Sequence, residues 1–143
     1  MDIVVDTFPD PRLPFSPSEL ADLVRCLART LQIPLHGLAI RITHDQEMAE
    51  LHARFAGGLG PTNVLSFPTE EPDRLGDLVL SADTVAREAE LYLQPFRAYA
   101  ARLVAHGLLH LAGLPHGPEM DALTDLAVAQ CVAEVPGFAW GEP

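Results

Sequence analysis

Apolar residues recur along this chain in short blocks, some alternating with period two and others spaced three and four apart, and the switches between these periods mark out the elements. DIVVD (2–6) reads as a short strand, followed by a proline-punctuated loop, FPDPRLPFSP (8–17). Leu20, Leu23, Val24, Leu27 and Leu31 lie at helical spacing behind Ser18, the expected cap, and Ile33-Pro34 stops that helix. LAIRIT (38–43) alternates as a strand, and Asp45 is expected to cap a helix to about Phe55. AGGLGPT (56–62) is a glycine-rich turn. NVLSFP (63–68), ended by Pro68, and GDLVLS (76–81) read as two further strands, and DTVAREAELY (83–92) as a helix. Pro95 suits the first position of a helix to about Leu111, residues 119–134 form one more, and the last nine residues read as a tail. The order β-α-β-α-β-β-α-α-α, without repeat or linker, predicts an α/β fold with a mixed sheet in one domain spanning 1–143.

Composition narrows the functions available. A chain of 143 residues with 48% hydrophobic positions can build one real core. No apolar run approaches the roughly 20 residues of a membrane span, and the N-terminus does not read as a signal peptide. Cys26 and Cys131 lie far apart and form no CxxC, so they read as small buried hydrophobes, with no disulfide framework and a cytoplasmic location expected. The net charge of −11 opposes non-specific attraction to phosphate backbones, so any nucleic-acid function must answer it. The glycine-rich turn lacks GxxxxGK[ST] and is a poor phosphate loop.

HGLLHLAGLPH (106–116) holds three of the six histidines in the chain. His106 and His110, four apart on a helix, share a face with Tyr99, Arg102 and Gly113, while Ala100, Val104, Leu108 and Leu111 form the opposite face. Gly113 and Pro115 end the helix, and the turn they force can bring His116 back beside the other two. Two ligands from a helix and one from its turn leave a fourth position open, as in a catalytic zinc site. His36, His44 and His52 lack such company and read as ordinary surface or loop residues. Gly107 stands where the protease motif HExxH has its glutamate base, which argues against that peptidase chemistry, and a zinc deaminase would need a PCxxC and an HxE that are absent.

HGLLHLAGLPH resembles the signature HGxLHLxGxDH of the YbeY family, bacterial zinc-dependent endoribonucleases of ribosomal RNA maturation. PTNVLSFP (61–68) and LGDLVLS (75–81) match two further family blocks in order, so the resemblance runs from about residue 38 to 134. It implies an α/β (α+β) domain with a small mixed sheet of about four strands surrounded by helices and a zincin-like metal helix. It implies one zinc ion on His106, His110 and His116. Single-stranded ribosomal RNA would lie between the zinc and the PTNVLSFP stretch, where Asn63 and Ser66 are polar. Two departures stand out. Ala56 occupies the place of a family arginine, with Arg54 two residues earlier, and Pro115 the place of a family aspartate. Arg102, one turn before His106, is the better-placed cation, and no catalytic residue is assigned.

Two functions of different class follow. One is a zinc-dependent single-strand endoribonuclease in ribosomal RNA processing, whose acidic chain needs either a local groove of Arg54, Arg97 and Arg102 or delivery of the RNA by small-subunit proteins. The other is a zinc-binding ribosome-assembly factor with little or no catalytic activity. A third and weaker reading is a metal-dependent hydrolase of another small ester or amide. Membranes and DNA are not expected partners.

Overall fold

Alternation and periodicity translate directly into the elements of the computed structural model, which describes residues 3–7, 16–56 and 62–134. In chain order these are β1 (Ile3–Thr7), α1 (Pro17–Leu31), β2 (Leu38–Thr43), α2 (Asp45–Ala56), β3 (Val64–Pro68), β4 (Gly76–Ser81), α3 (Ala82–Leu91), α4 (Phe96–Leu111) and α5 (Pro118–Glu134). The sheet order is β1-β2-β4-β3, with β1, β2 and β4 parallel and β3 antiparallel to β4. This is the expected mixed α/β sheet of four strands. The loop at 8–15, the glycine-rich turn at 57–61 and the tail at 135–143 lie outside the described residues.

Side chains alternate across each strand. Leu38, Ile40 and Ile42 of β2 and Leu78 and Leu80 of β4 are buried in one core with Leu20, Leu23, Val24 and Leu27 of α1 and Val104 and Leu108 of α4. α4 runs against β3 and β4 and is in turn packed by α1, α3 and α5. Central placement explains its burial. Beyond the expected face of Ala100, Val104, Leu108 and Leu111, it also buries Ala101, Ala105, Gly107 and Leu109. Only a narrow strip is left to carry chemistry.

Three local expectations are corrected. The cap of α1 is Ser16, not Ser18. Ser16 Oγ accepts from Glu19 N at 3.0 Å while the Glu19 carboxylate accepts from Ser16 N at 2.9 Å. Pro17 follows at the first helical position, where a missing N–H costs nothing. Asn63 precedes β3, which begins at Val64. Cys26 and Cys131 are buried as expected, yet α1 and α5 bring them together as a disulfide, with Cα atoms 5.9 Å apart. Their spacing of 105 residues gave no sign of it, because helix–helix packing makes the pair. The cysteines therefore carry no weight in assigning a compartment.

Asp45 also acts differently from a simple cap. It is the first residue of α2, and its N–H donates to Asp83 Oδ2 at 2.8 Å. Its own carboxylate turns toward α3 and accepts from Ser81 Oγ and Thr84 Oγ1, each at 2.7 Å, with Arg87 2.7 Å from its other oxygen. Two helix starts are thus tied crosswise. Burial alone would raise the Asp45 carboxyl pKa, but the hydrogen bonds from Ser81, Arg87 and Thr84 hold it below the ordinary value. The linkage sign follows: stability from Asp45 is complete above the unfolded pKa of about 3.9 and is lost as pH falls through the lower folded value. Asp45→Ala strands two buried hydroxyls and is expected to cost about 2–4 kcal/mol at pH 7. Urea titrations at pH 7 and pH 3 check this, and a penalty that does not shrink at the lower pH would refute the role of the ionised group.

Candidate metal centre

The three histidines are assembled by the end of α4. The N–H of Gly113 donates to the His110 carbonyl at 2.9 Å and that of Leu114 to the Leu109 carbonyl at 3.0 Å, a paired closure that ends the helix with Gly113 at φ +94°. Leu114 then packs partly buried against the core and holds the turn down. The chain reverses over a few residues before Pro118 starts α5, and His116, on that turn, is carried back over the helix. Its ring centroid lies 4.7 Å from that of His106 and 4.3 Å from that of His110, and the latter two are 4.8 Å apart.

One ligand nitrogen from each imidazole lies within 4.8 Å of the other two, so the group can hold a metal ion. His110 Nε2 and His116 Nε2 are 3.0 Å apart. Two nitrogens bound tetrahedrally at 2.0–2.1 Å would be about 3.3 Å apart, so the His110–His116 pair is already near the spacing a small divalent cation needs. Charge state agrees. Burial, then the neighbouring His110 and His116, and to a smaller extent Arg102, push the His106 pKa below the ordinary imidazole value against the opposing Asp121. Burial and His116 lower that of His110. Both favour the neutral form, which is the form that ligates.

The imidazoles open onto a cleft of about 680 Å³ between α4, α5 and β3. Tyr99, Arg102 and Leu103 come from α4, residues 62–66 and Pro68 from β3 and its approach, and Asp121 and Thr124 from α5. Arg102 is here, as expected, but its guanidinium is paired with Asp125 of α5. Asn63 and Ser66 line the cleft while their side chains serve internal partners. Asn63 Nδ2 donates to Glu88 Oε1 at 2.9 Å and its Oδ1 accepts from Val64 N at 2.7 Å. Ser66 Oγ donates to the Gly107 carbonyl at 3.3 Å, tying β3 to α4. Tyr99 shares the Glu88 oxygen at 2.9 Å, so α3 braces this wall from behind.

Arg54 and Arg97 do not join Arg102. Arg54 stacks over the Phe55 ring at 5.6 Å and lines a separate groove on α2, alongside Phe67 and Val79. Arg97 is largely buried and 3.5 Å from Glu19 of α1. The expected groove of three arginines is therefore not formed: Arg54 stands on α2, and Arg97, although it shares α4 with Arg102, lies five residues earlier on another side of that helix, turned to α1. His36 and His44 are exposed and His52 half-buried, all remote from the cleft lining, and Pro115 is exposed in the turn. Sequence reading missed Asp121, Thr124 and Asp125, since α5 shows no motif of its own and gains its place in the cleft only by packing on α4. It also missed Glu88, which acts from behind the wall.

Fold and site together define an α/β protein with a group of three histidines able to hold a metal ion at the mouth of a cleft. A family profile described as Endoribonuclease YbeY matches residues 17–127. Among relatives named Endoribonuclease YbeY, that of Oleidesulfovibrio alaskensis is 44% identical over 63% of this chain and 67% of its own length. That of Nitrosococcus oceani is 40% identical over 82% and 83%, and that of Nitratidesulfovibrio vulgaris 34% over 81% and 85%. The chain belongs to the endoribonuclease YbeY family. The solution structure of TM1509 from Thermotoga maritima is similar in fold, with a TM-score of 0.65 and 24% identity over 94% of this chain and 93% of that one.

Proposed function

We propose that this chain is a zinc-dependent endoribonuclease that cleaves single-stranded ribosomal RNA during ribosome maturation, working in the cytoplasm as one domain over residues 1–143. The observation that carries the reading is the convergence of His106, His110 and His116 on one point at the mouth of a cleft. These residues would hold a single zinc ion. Three protein ligands leave a coordination position for water or substrate, whereas structural zinc sites are normally closed by four. When bound, zinc supplies a Lewis acid for a phosphoryl oxygen and lowers the pKa of a coordinated water toward about 7.

The rest of the site positions and screens. Burial keeps the His106 and His110 imidazoles neutral and so available as ligands. Arg102 faces the cleft with its charge shared with Asp125; exchange of that partner for a phosphate would place a cation beside the reacting group. Asn63 and Ser66 shape the strand side of the substrate groove through their bonds to Glu88 and Gly107. With a net charge of −11, affinity for RNA needs help from a partner, and proteins of the small ribosomal subunit are the natural source. The same charge disfavours duplex DNA. No helix among the described residues is long and apolar enough to cross a membrane.

A second reading, a zinc-binding assembly factor with little or no cleavage, draws on the scattered arginines together with Ala56 and Pro115. One preparation separates the two. Metal content is measured by mass spectrometry, and cleavage of a single-stranded ribosomal RNA fragment is followed with and without chelator. Stoichiometric zinc with chelator-sensitive cleavage is expected. Zinc-replete protein that binds ribosomal particles and never cleaves favours the second reading, and protein that neither retains zinc nor cleaves overturns both.

A further inference from the structure

Thr124 lies on α5 with 3% of its surface exposed, and it lines the cleft that the three histidines open onto. Its hydroxyl is the one buried side-chain polar atom without a hydrogen-bond partner among the described residues. That is unusual in itself, because a buried hydroxyl left unsatisfied costs free energy. It is more unusual on a helix, where a threonine has a ready acceptor in the carbonyl four residues back. Thr30 of α1 takes that option and donates to the Cys26 carbonyl at 3.0 Å. Thr124 leaves the carbonyl of Met120 alone.

The neighbours show what such a hydroxyl could meet. Asp121, one turn earlier on α5, lies close enough to His106 to act on its charge, so this face of the helix stands beside the metal ligands. The cation of the cleft, Arg102, is held by Asp125, the residue after Thr124. Asn63 and Ser66 spend their polar atoms on internal partners. A phosphodiester brought to this site carries non-bridging oxygens that only accept hydrogen bonds. Thr124 carries an uncommitted O–H in that lining; its oxygen is closed off from solvent, so donation to such an oxygen takes a rotation of the side chain toward the cleft.

We propose that Thr124 is a substrate-positioning residue, its hydroxyl donating to a non-bridging oxygen of the bound phosphodiester. This rests on the ribonuclease reading above and extends it to a residue on a different helix from the metal ligands.

The test compares Thr124→Val and Thr124→Ser with the wild type, using full-length zinc-reconstituted protein and a single-stranded RNA oligonucleotide. Valine keeps the shape and removes the hydroxyl. A structural hydroxyl would be missed, and Tm would fall. An orphan is not missed, so Thr124→Val is expected to match or exceed the wild-type Tm and to retain zinc, while kcat/KM drops about ten- to a hundredfold. Thr124→Ser is expected to keep activity within about threefold, since it keeps the donor. Loss of stability in Thr124→Val, or cleavage equal to the wild type, overturns the assignment. If wild-type protein cleaves and only the Thr124 result fails, the ribonuclease reading stands. If wild-type protein neither binds nor cleaves the oligonucleotide, that reading fails and this assignment fails with it.

Discussion

His110→Ala is expected to leave the chain folded and to abolish metal retention. His110 sits on the narrow strip of α4 that faces the cleft, half-buried, and its ring meets the other two imidazoles and the backbone of Leu114 in the turn. Alanine removes no core contact and is the best helix former. A structural zinc is held by about 10–16 kcal/mol through four ligands, or about 2.5–4 kcal/mol for each. Losing one ligand of three therefore weakens binding by on the order of 10²- to 10³-fold or more. Titration of the apo protein with zinc, read by calorimetry, measures this directly, while circular dichroism checks the fold. Zinc affinity within a few-fold of wild type would show that the three imidazoles do not act as one site. The variant should also lose chelator-sensitive RNA cleavage, although loss of the metal is the sharper result because trace nuclease contamination cannot imitate it.

Gly107→Glu carries the other large effect. On paper this change turns HGLLH into HELLH and so creates the zinc-protease motif. In the folded chain position 107 faces away from the cleft, against the sheet. A Cβ there would already lie 2.7 Å from Leu78 Cδ2 and 3.3 Å from Ser66 Oγ. Leu78 is fully buried and cannot withdraw into solvent. A glutamate would drive a carboxylate between α4 and β4 with no partner to receive it, combining overpacking with an unpaired buried charge. The expected cost exceeds about 4 kcal/mol, a large share of the about 5–15 kcal/mol that holds a typical domain. The variant should be largely unfolded at 37 °C by circular dichroism and urea titration, with no gain of peptidase activity. Gly107→Ala isolates the steric part: about 1–3 kcal/mol of overpacking, offset by about 1 kcal/mol of better helix propensity. A cooperative, wild-type-like unfolding curve for Gly107→Glu would mean that α4 does not lie against β4 as described.

Gly107 illustrates how sequence and structure divide the information. Its absence of a side chain was legible as the lack of a general base. The reason for it was not, because nothing local to HGLLH says which face of the helix meets the sheet. Ser66 is a similar case. As a polar residue in an otherwise apolar strand it invited a substrate role; the structure keeps it in the cleft lining and shows its hydroxyl donating to the backbone of α4, a tie that the sequence did not announce.

The elements themselves were read closely. Boundaries erred by one or two residues, and the misplaced cap of α1 was recoverable, since Ser16 and Glu19 stand in the S-x-x-E spacing of a reciprocal cap. The histidine trio was legible too, because every step that brings it together is local: four residues along one helix, a glycine at positive φ, and a reversal a few residues long.

What the sequence determined by itself, then, was the order of strands and helices and the identity of the three imidazoles. Those depend on side-chain period, caps and stops, which act over a few residues. What only the tertiary structure decided was everything carried by packing between distant segments. The Cys26–Cys131 pair, the separation of Arg54 from Arg102, the tie from Asp45 across to α3, and the presence of Asp121 and Thr124 in the cleft are of this kind. The physical reason is that burial of apolar surface fixes how the helices lie on the sheet, is indifferent to which polar residues are carried along, and so leaves no short-range pattern from which their meeting could be read.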